Sequence, residues 1–113
     1  MIGLLIVVSL VFLVNQRQGK LFKVTAYCPC KVCNGKWGGI TKTGKKLKLG
    51  MCAVDPKVVP LGFKIIIEDV GTFTAEDIGG AVKGKHVDIL MNTHEEAKQF
   101  GVQQHRVWVV FNN

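Results

Sequence analysis

The chain has 113 residues, fifteen Lys and Arg against eight Asp and Glu, and a formal net charge of +7. That length allows one domain with one shallow core and excludes a multidomain machine. The charge draws polyanions, but the lysines are spaced through Gly- and Thr-rich sequence with no zinc finger, recognition helix or aromatic-interleaved basic strand, so nucleic acid is not expected as a partner.

Ile2 to Val14 is an uncharged run of thirteen residues, followed by the polar stretch Asn15 to Lys20. A membrane-crossing helix needs about 20 apolar residues, whereas thirteen suits the apolar part of an export signal. Residues 1–20 therefore read as a signal peptide or membrane anchor plus linker, with membrane attachment through residues 2–14. Residues 21–113 would then be a secreted or membrane-anchored domain outside the cytoplasm. A buried strand or helix of the domain is the competing reading of the apolar run.

Leu21 to Tyr27 predicts a first strand with Phe22, Val24 and Ala26 on one face. Residues 28–50 have no apolar period and read as a long loop. Such loops are uncommon in compact domains without a use or a staple. Met51–Val54, Lys64–Glu68, Thr72–Asp77, Val87–Met91 and Arg106–Phe111 predict five more strands, the last alternating on Val107, Val109 and Phe111. Thr93 with Glu96 forms a capping box, and Gly101 a stop, for one helix over His94–Phe100. An all-β fold follows: a small closed barrel of six strands with one short helix, closure removing the exposed edges.

Four cysteines, Cys28, Cys30, Cys33 and Cys52, carry three open readings, of which mostly free thiols is the plainest. They could pair as disulfides, which export favours. They could instead hold a structural zinc, with Cys52 or a histidine as fourth ligand to the Cys28–Cys30–Cys33 cluster. Either would tie the long loop to the barrel. No other cofactor is called for.

Among the carboxylates, Glu95 and Glu96 suit the helix N-terminus. Strand alternation turns Glu76 outward if Asp77 faces inward. Asp55, Asp77 and Asp88 remain. Asp88 lies in the otherwise apolar run Val87–Leu90, so it must point to solvent or into a cleft. A cleft would raise its pKa toward that of a general acid. A turn-capping role is the plainer reading of Asp55. Trp37, in the long loop, could stack on a sugar.

Four stretches resemble the 3D domain family, named for three aspartates. They are Thr25-Ala26-Tyr27-Cys28; Thr41-Lys42-Thr43-Gly44; Ala53-Val54-Asp55-Pro56 with Val59-Pro60-Leu61-Gly62; and the long run from Asp77-Ile78-Gly79-Gly80 through Val87-Asp88-Ile89. The family includes stationary-phase muralytic proteins and the membrane-bound lytic transglycosylase A type. The resemblance implies a double-psi β-barrel that binds peptidoglycan glycan strands and cleaves the MurNAc–GlcNAc β-1,4 bond, leaving 1,6-anhydromuramyl ends. It makes Asp88 the catalytic acid and Asp77 its supporting carboxylate. Asp55 completes the trio, and Tyr27, Thr43, Gly80, Lys83 and Trp37 are candidate substrate contacts. Lys42 and Ile78 depart from the family's usual small residue and Thr, which bears on groove shape. A hydrolytic glycosidase with a carboxylate pair and a non-catalytic wall-binding module are the alternative functions.

Overall fold

The computed structural model describes residues 19–30 and 39–110; the apolar run at 2–14, Cys33 and Trp37 lie outside them. The strands are β1 (Lys20–Tyr27), β2 (Met51–Val54), β3 (Lys64–Ile67), β4 (Gly71–Asp77), β5 (His86–Leu90) and β6 (Gln103–Val110). They close into a barrel in the order β1-β5-β2-β4-β3-β6. The pairs β1–β5 and β2–β4 are parallel, and the other four are antiparallel. Among the described residues one α-helix, α1 (His94–Phe100), packs on β1. The expected all-β, six-stranded barrel with one short helix is the fold observed.

Alternation builds the interior. Phe22 and Val24 of β1, Ile65 and Ile67 of β3, Val87 and Ile89 of β5, and Val107 of β6 point into one cluster with Cys52, Val54, Val59 and Ala75. Ala26, on the same face of β1, packs against it. All four residues of β2 are buried, as befits a central strand covered on both faces, where an unbroken apolar run replaces alternation.

Two sequence expectations need correction. Strand β6 starts at Gln103, not Arg106, because Gln103, Gln104 and His105 pair with Val24, Lys23 and Phe22 of β1; a ladder needs backbone groups, and the polar side chains there hid it from a hydrophobic pattern. Its outer half is also less buried than alternation suggested, since Val109 is exposed while Val107 is enclosed.

Helix α1 follows its sequence signals. The Thr93 side chain accepts from the Glu96 backbone N–H at 3.1 Å, and Gly101 closes the helix at φ 65°. Ala97 is its buried residue.

Glu76 is the other correction. It is buried, at 4% exposure, rather than turned to solvent. The β2–β4 register shifts between Cys52, opposite Ala75, and Ala53, opposite Asp77. Glu76 is thus the extra residue of a bulge, and a bulge breaks the alternation on which the outward expectation rested. Its carboxylate organises residues 41–45. Thr43 Oγ1 donates to Glu76 Oε2, and Lys45 Nζ lies 3.2 Å from Oε1. The Thr43 backbone N–H donates to the Glu76 carbonyl at 3.2 Å, and Thr41 Oγ1 accepts from the Lys45 backbone at 3.1 Å.

The Thr43 hydrogen bond, with Lys45 behind it, holds the Glu76 carboxyl below its usual value despite burial. A depressed folded pKa adds stability above the unfolded value, and that stability is lost as pH falls. Glu76→Gln is expected to cost about 1–3 kcal/mol at pH 7. The gap should close as pH drops below the ordinary glutamate value of 4.5. Thermal melts of both proteins across pH check this; a pH-independent difference would contradict it.

Candidate active site

The barrel order sets four consecutive strands, β1-β5-β2-β4, side by side, and their shared register assembles the site. Thr25 of β1 pairs with Asp88 of β5, Asp88 pairs with Ala53 of β2, and Ala53 pairs with Asp77 of β4. Directly paired residues share a face of the sheet. Thr25, Asp88, Ala53 and Asp77 therefore form one row across the outside of the barrel, opposite the face of Val24, Val87 and Ile89. Tyr27, two residues along β1 from Thr25, lies on the same face. It packs with Ala53, Val82 and Leu90, with Leu47 alongside. Ala53 itself is buried between the two aspartates, packed with Tyr27, Val82 and Leu90.

Each aspartate is half-buried and held differently. Asp88 Oδ1 lies 2.9 Å from Thr25 Oγ1, which in turn lies 2.8 Å from His86 Nε2. A hydroxyl has one proton to give. With Asp88 ionised, Thr25 donates to it and accepts from a protonated Nε2. With Asp88 protonated, the chain reverses: the acid donates to Thr25, and Thr25 to a bare Nε2. The row His86–Thr25–Asp88 thus accommodates a proton at either end without losing a hydrogen bond. Burial pushes the Asp88 carboxyl up, opposed by the Thr25 hydrogen bond and the His86 charge. Burial, and next the charge of Lys23, pushes the His86 imidazole down. Both shifts favour the neutral pair, acid on Asp88 and bare imidazole at His86.

Asp77 Oδ1 accepts from the backbone N–H groups of Lys42 and Ile78, each at 3.0 Å. It therefore docks the 41–45 loop beside the row. Asp55 faces elsewhere. Its Oδ1 accepts from Lys57 N at 3.0 Å and its Oδ2 from Gly84 N at 2.8 Å. Those two bonds, the Gly84 one foremost, hold its carboxyl below the usual value. Gly84 sits at φ +68°, a backbone conformation open to glycine at little cost. Asp55 is a brace between the turn after β2 and the β4–β5 loop.

That loop forms the rim. Gly80 and Lys83 are exposed on it, while Val82 is buried under the row beside Tyr27. Gly79 is required here because a Cβ would come within 2.6 Å of Val82 Cγ2. Thr43 is exposed, with its hydroxyl given to Glu76.

Tyr27 has a buried hydroxyl with no hydrogen-bond partner among the described residues. Burial raises its pKa, and the charges of Asp77 and Asp88 add to the effect. An unsatisfied buried polar atom is costly.

The cysteines divide. Cys28 and Cys30 are joined as a disulfide. Cys52 is free and inside the barrel, its Sγ 3.6 Å from the Thr74 carbonyl, with burial pushing the thiol up to about 12. It is in no disulfide, because its side chain belongs to the inward face of β2, apart from Cys28 and Cys30.

Residues 51–111 match the model of the 3D domain. The chain belongs to the 3D domain family. Its barrel is the double-psi fold of that family. It is 38% identical over 93 residues to the Bacillus subtilis cell wall-binding protein YocH, covering 79% of this chain and 32% of YocH. Identity is 35% over 91 residues to the putative cell wall shaping protein YabE of the same organism, covering 77% and 22%. The chain thus spans about a third or less of these relatives. Among solved structures it is similar to the lytic transglycosylase LtgG of Burkholderia pseudomallei, with a TM-score of 0.55, 26% identity, and 67% of this chain covered against 27% of LtgG. Escherichia coli MltA with bound chitohexaose shares the fold at a TM-score of 0.55 and 23% identity, covering 68% of this chain and 29% of MltA.

Asp88, Asp77 and Tyr27, picked from the sequence, come together. Asp55, Thr43, Gly80 and Lys83 surround them as braces and rim. Thr25 and His86 were missed as partners of Asp88; the signal was the parallel register of β1 on β5, which no single strand reveals.

Two stability tests follow. Asp88 binds its proton more tightly folded than unfolded, so stability falls as pH rises from the ordinary value of 3.8 through the raised one. Asp88→Asn is expected to melt higher than the parent at pH 7, the advantage vanishing as pH approaches 3.8. Tyr27→Phe is expected to stabilise the free protein by about 1 kcal/mol by deleting an unsatisfied group. An unchanged melting profile in the respective variant would contradict either account.

Proposed function

We propose that this domain is a lytic transglycosylase acting on peptidoglycan outside the cytoplasmic membrane, with Asp88 as the acid. The observation that carries the reading is the Asp88 environment: a half-buried carboxyl of raised pKa, hydrogen-bonded to the Thr25–His86 chain, in one row with Asp77 on the outer face of the barrel. The names of the relatives, cell wall-binding and cell wall-shaping, and of the structural neighbours, lytic transglycosylases, point the same way.

The chemistry follows from one acid used twice. Protonated Asp88 donates to the bridging oxygen of the MurNAc–GlcNAc bond as it breaks. The cation forming at C1 is stabilised by the ionised carboxylate. That carboxylate then takes the proton of the C6 hydroxyl of the same sugar, whose oxygen closes the 1,6-anhydro ring. The acid is regenerated and no water is consumed. The Thr25–His86 chain holds Asp88 in orientation through both states. Asp77 keeps the 41–45 loop beside the row, Asp55 braces the β4–β5 loop, and Tyr27 packs beneath the row. Thr43, Gly80 and Lys83 line the edges, and the basic chain suits an anionic wall.

A non-catalytic reading has one observation in its favour, the cell wall-binding name of the relative at 38% identity. Digestion of purified peptidoglycan by the parent and by Asp88→Asn, read by mass spectrometry, separates the readings. Products with 1,6-anhydro ends are expected, reduced about 10²–10⁴-fold in the variant, the usual contribution of a general acid. Reducing ends would mean hydrolysis with a second essential carboxylate. No product from the parent, with wall binding retained, would make the domain a binding module.

A further inference from the structure

One cluster lies outside the row of aspartates. Cys28 and Cys30 follow β1, and His94 is the first residue of α1. The ligand atoms of all three lie within 4.8 Å of one another. His94 Nδ1 is 4.0 Å from Cys28 Sγ and 3.9 Å from Cys30 Sγ. The nitrogen is nearly equidistant from both sulfurs. Around a tetrahedral zinc, bond lengths of about 2.3 Å to sulfur and about 2.0–2.1 Å to nitrogen place nitrogen and sulfur about 3.6 Å apart, near the spacing seen, whereas the two sulfurs, bonded here, would part once reduced. Two soft thiolates with an imidazole form a donor set that selects zinc.

We propose that, with Cys28 and Cys30 reduced, their thiolates and His94 Nδ1 hold one zinc ion that pins the end of β1 to the start of α1. Binding releases one proton from each thiol and changes no oxidation state. The disulfide and the ion exclude each other, since both use the same two sulfurs. Their mechanical effects differ. The disulfide spans two residues and ties nothing distant. The ion joins positions 66 apart in the chain, and a crosslink across a long loop removes more freedom from the unfolded chain. It also fixes the residue next to Tyr27, whose carbonyl already accepts from Met91 N at 2.7 Å. The same residues border a surface pocket lined by Pro29, Lys46, Leu47, Asn92 and Thr93, so the clasp shapes ground next to the sugar-facing row. The inference stands whether or not the domain cleaves glycan.

The test uses the full chain without a histidine tag, kept in a non-chelating phosphine reductant. Elemental analysis is expected to find one zinc per chain, and cobalt exchange to give tetrahedral d–d bands with thiolate charge transfer. Zinc should raise the melting temperature of the parent. Cys30→Ser and His94→Ala should each weaken binding at least about tenfold, the loss caused even by mutating outer partners of metal sites. Cys52→Ala should retain the ion. His94 is exposed at the helix start, so His94→Ala carries the test if Cys30→Ser fails to fold, with circular dichroism reporting the fold. Zinc affinity unchanged in folded His94→Ala, cobalt spectra without charge transfer, or a Cys28–Cys30 disulfide that persists under reductant with no zinc taken up would each overturn the proposal.

Discussion

Everything at the site depends on the register of β2. This strand is parallel to β4 and antiparallel to β5, and Ala53 is the residue that faces Asp77 on one side and Asp88 on the other. The bulge between Cys52 and Ala53 makes that double pairing possible. Without the shift, Ala53 would oppose Glu76, and Glu76 rather than Asp77 would stand in the row with Asp88. One extra residue in β4 therefore separates two jobs. Glu76 anchors a loop from within, and Asp77 receives the same loop beside the groove. Because a one-residue slip exchanges the faces of a strand, the pairing that closes the barrel also decides which carboxylates meet.

The second constraint is electrostatic. Asp88 sits opposite Ala53 on the outer face, and its burial there disfavours its charge. Burial does the same to the positive form of His86. Joined through Thr25, the two groups share a hydrogen-bond chain that is complete in both protonation patterns. A half-buried acid that burial disposes to hold its proton thereby has a partner in either state. The orphan hydroxyl of Tyr27 is the unrelieved part of the same surface, and costs of this kind concentrate where a ligand is to be met. Asp55 shows the contrast. It has backbone N–H groups on both oxygens and behaves as a strut.

Much of the architecture was legible beforehand. The six strands, the capped helix and the closed barrel followed from alternation, glycine-rich turns and the Thr93–Glu96 pair. These are local signals, and local physics produces them. Strand β6 was read short because its first residues are polar and are held by β1 through backbone bonds. The aspartates were found as charges misplaced in apolar strands and through the family resemblance.

The sequence by itself determined where the six strands lie apart from the polar start of β6, the helix and its caps, and the identity of the unusual carboxylates, because periodicity and turn chemistry act over a few neighbouring residues. Only the tertiary structure decided the company those residues keep. The bulge that buries Glu76, the His86–Thr25–Asp88 chain and the meeting of Cys28 and Cys30 with His94 all join segments dozens of positions apart. Their cause is the closure of the barrel, a constraint on all six strands at once that no single stretch of sequence carries.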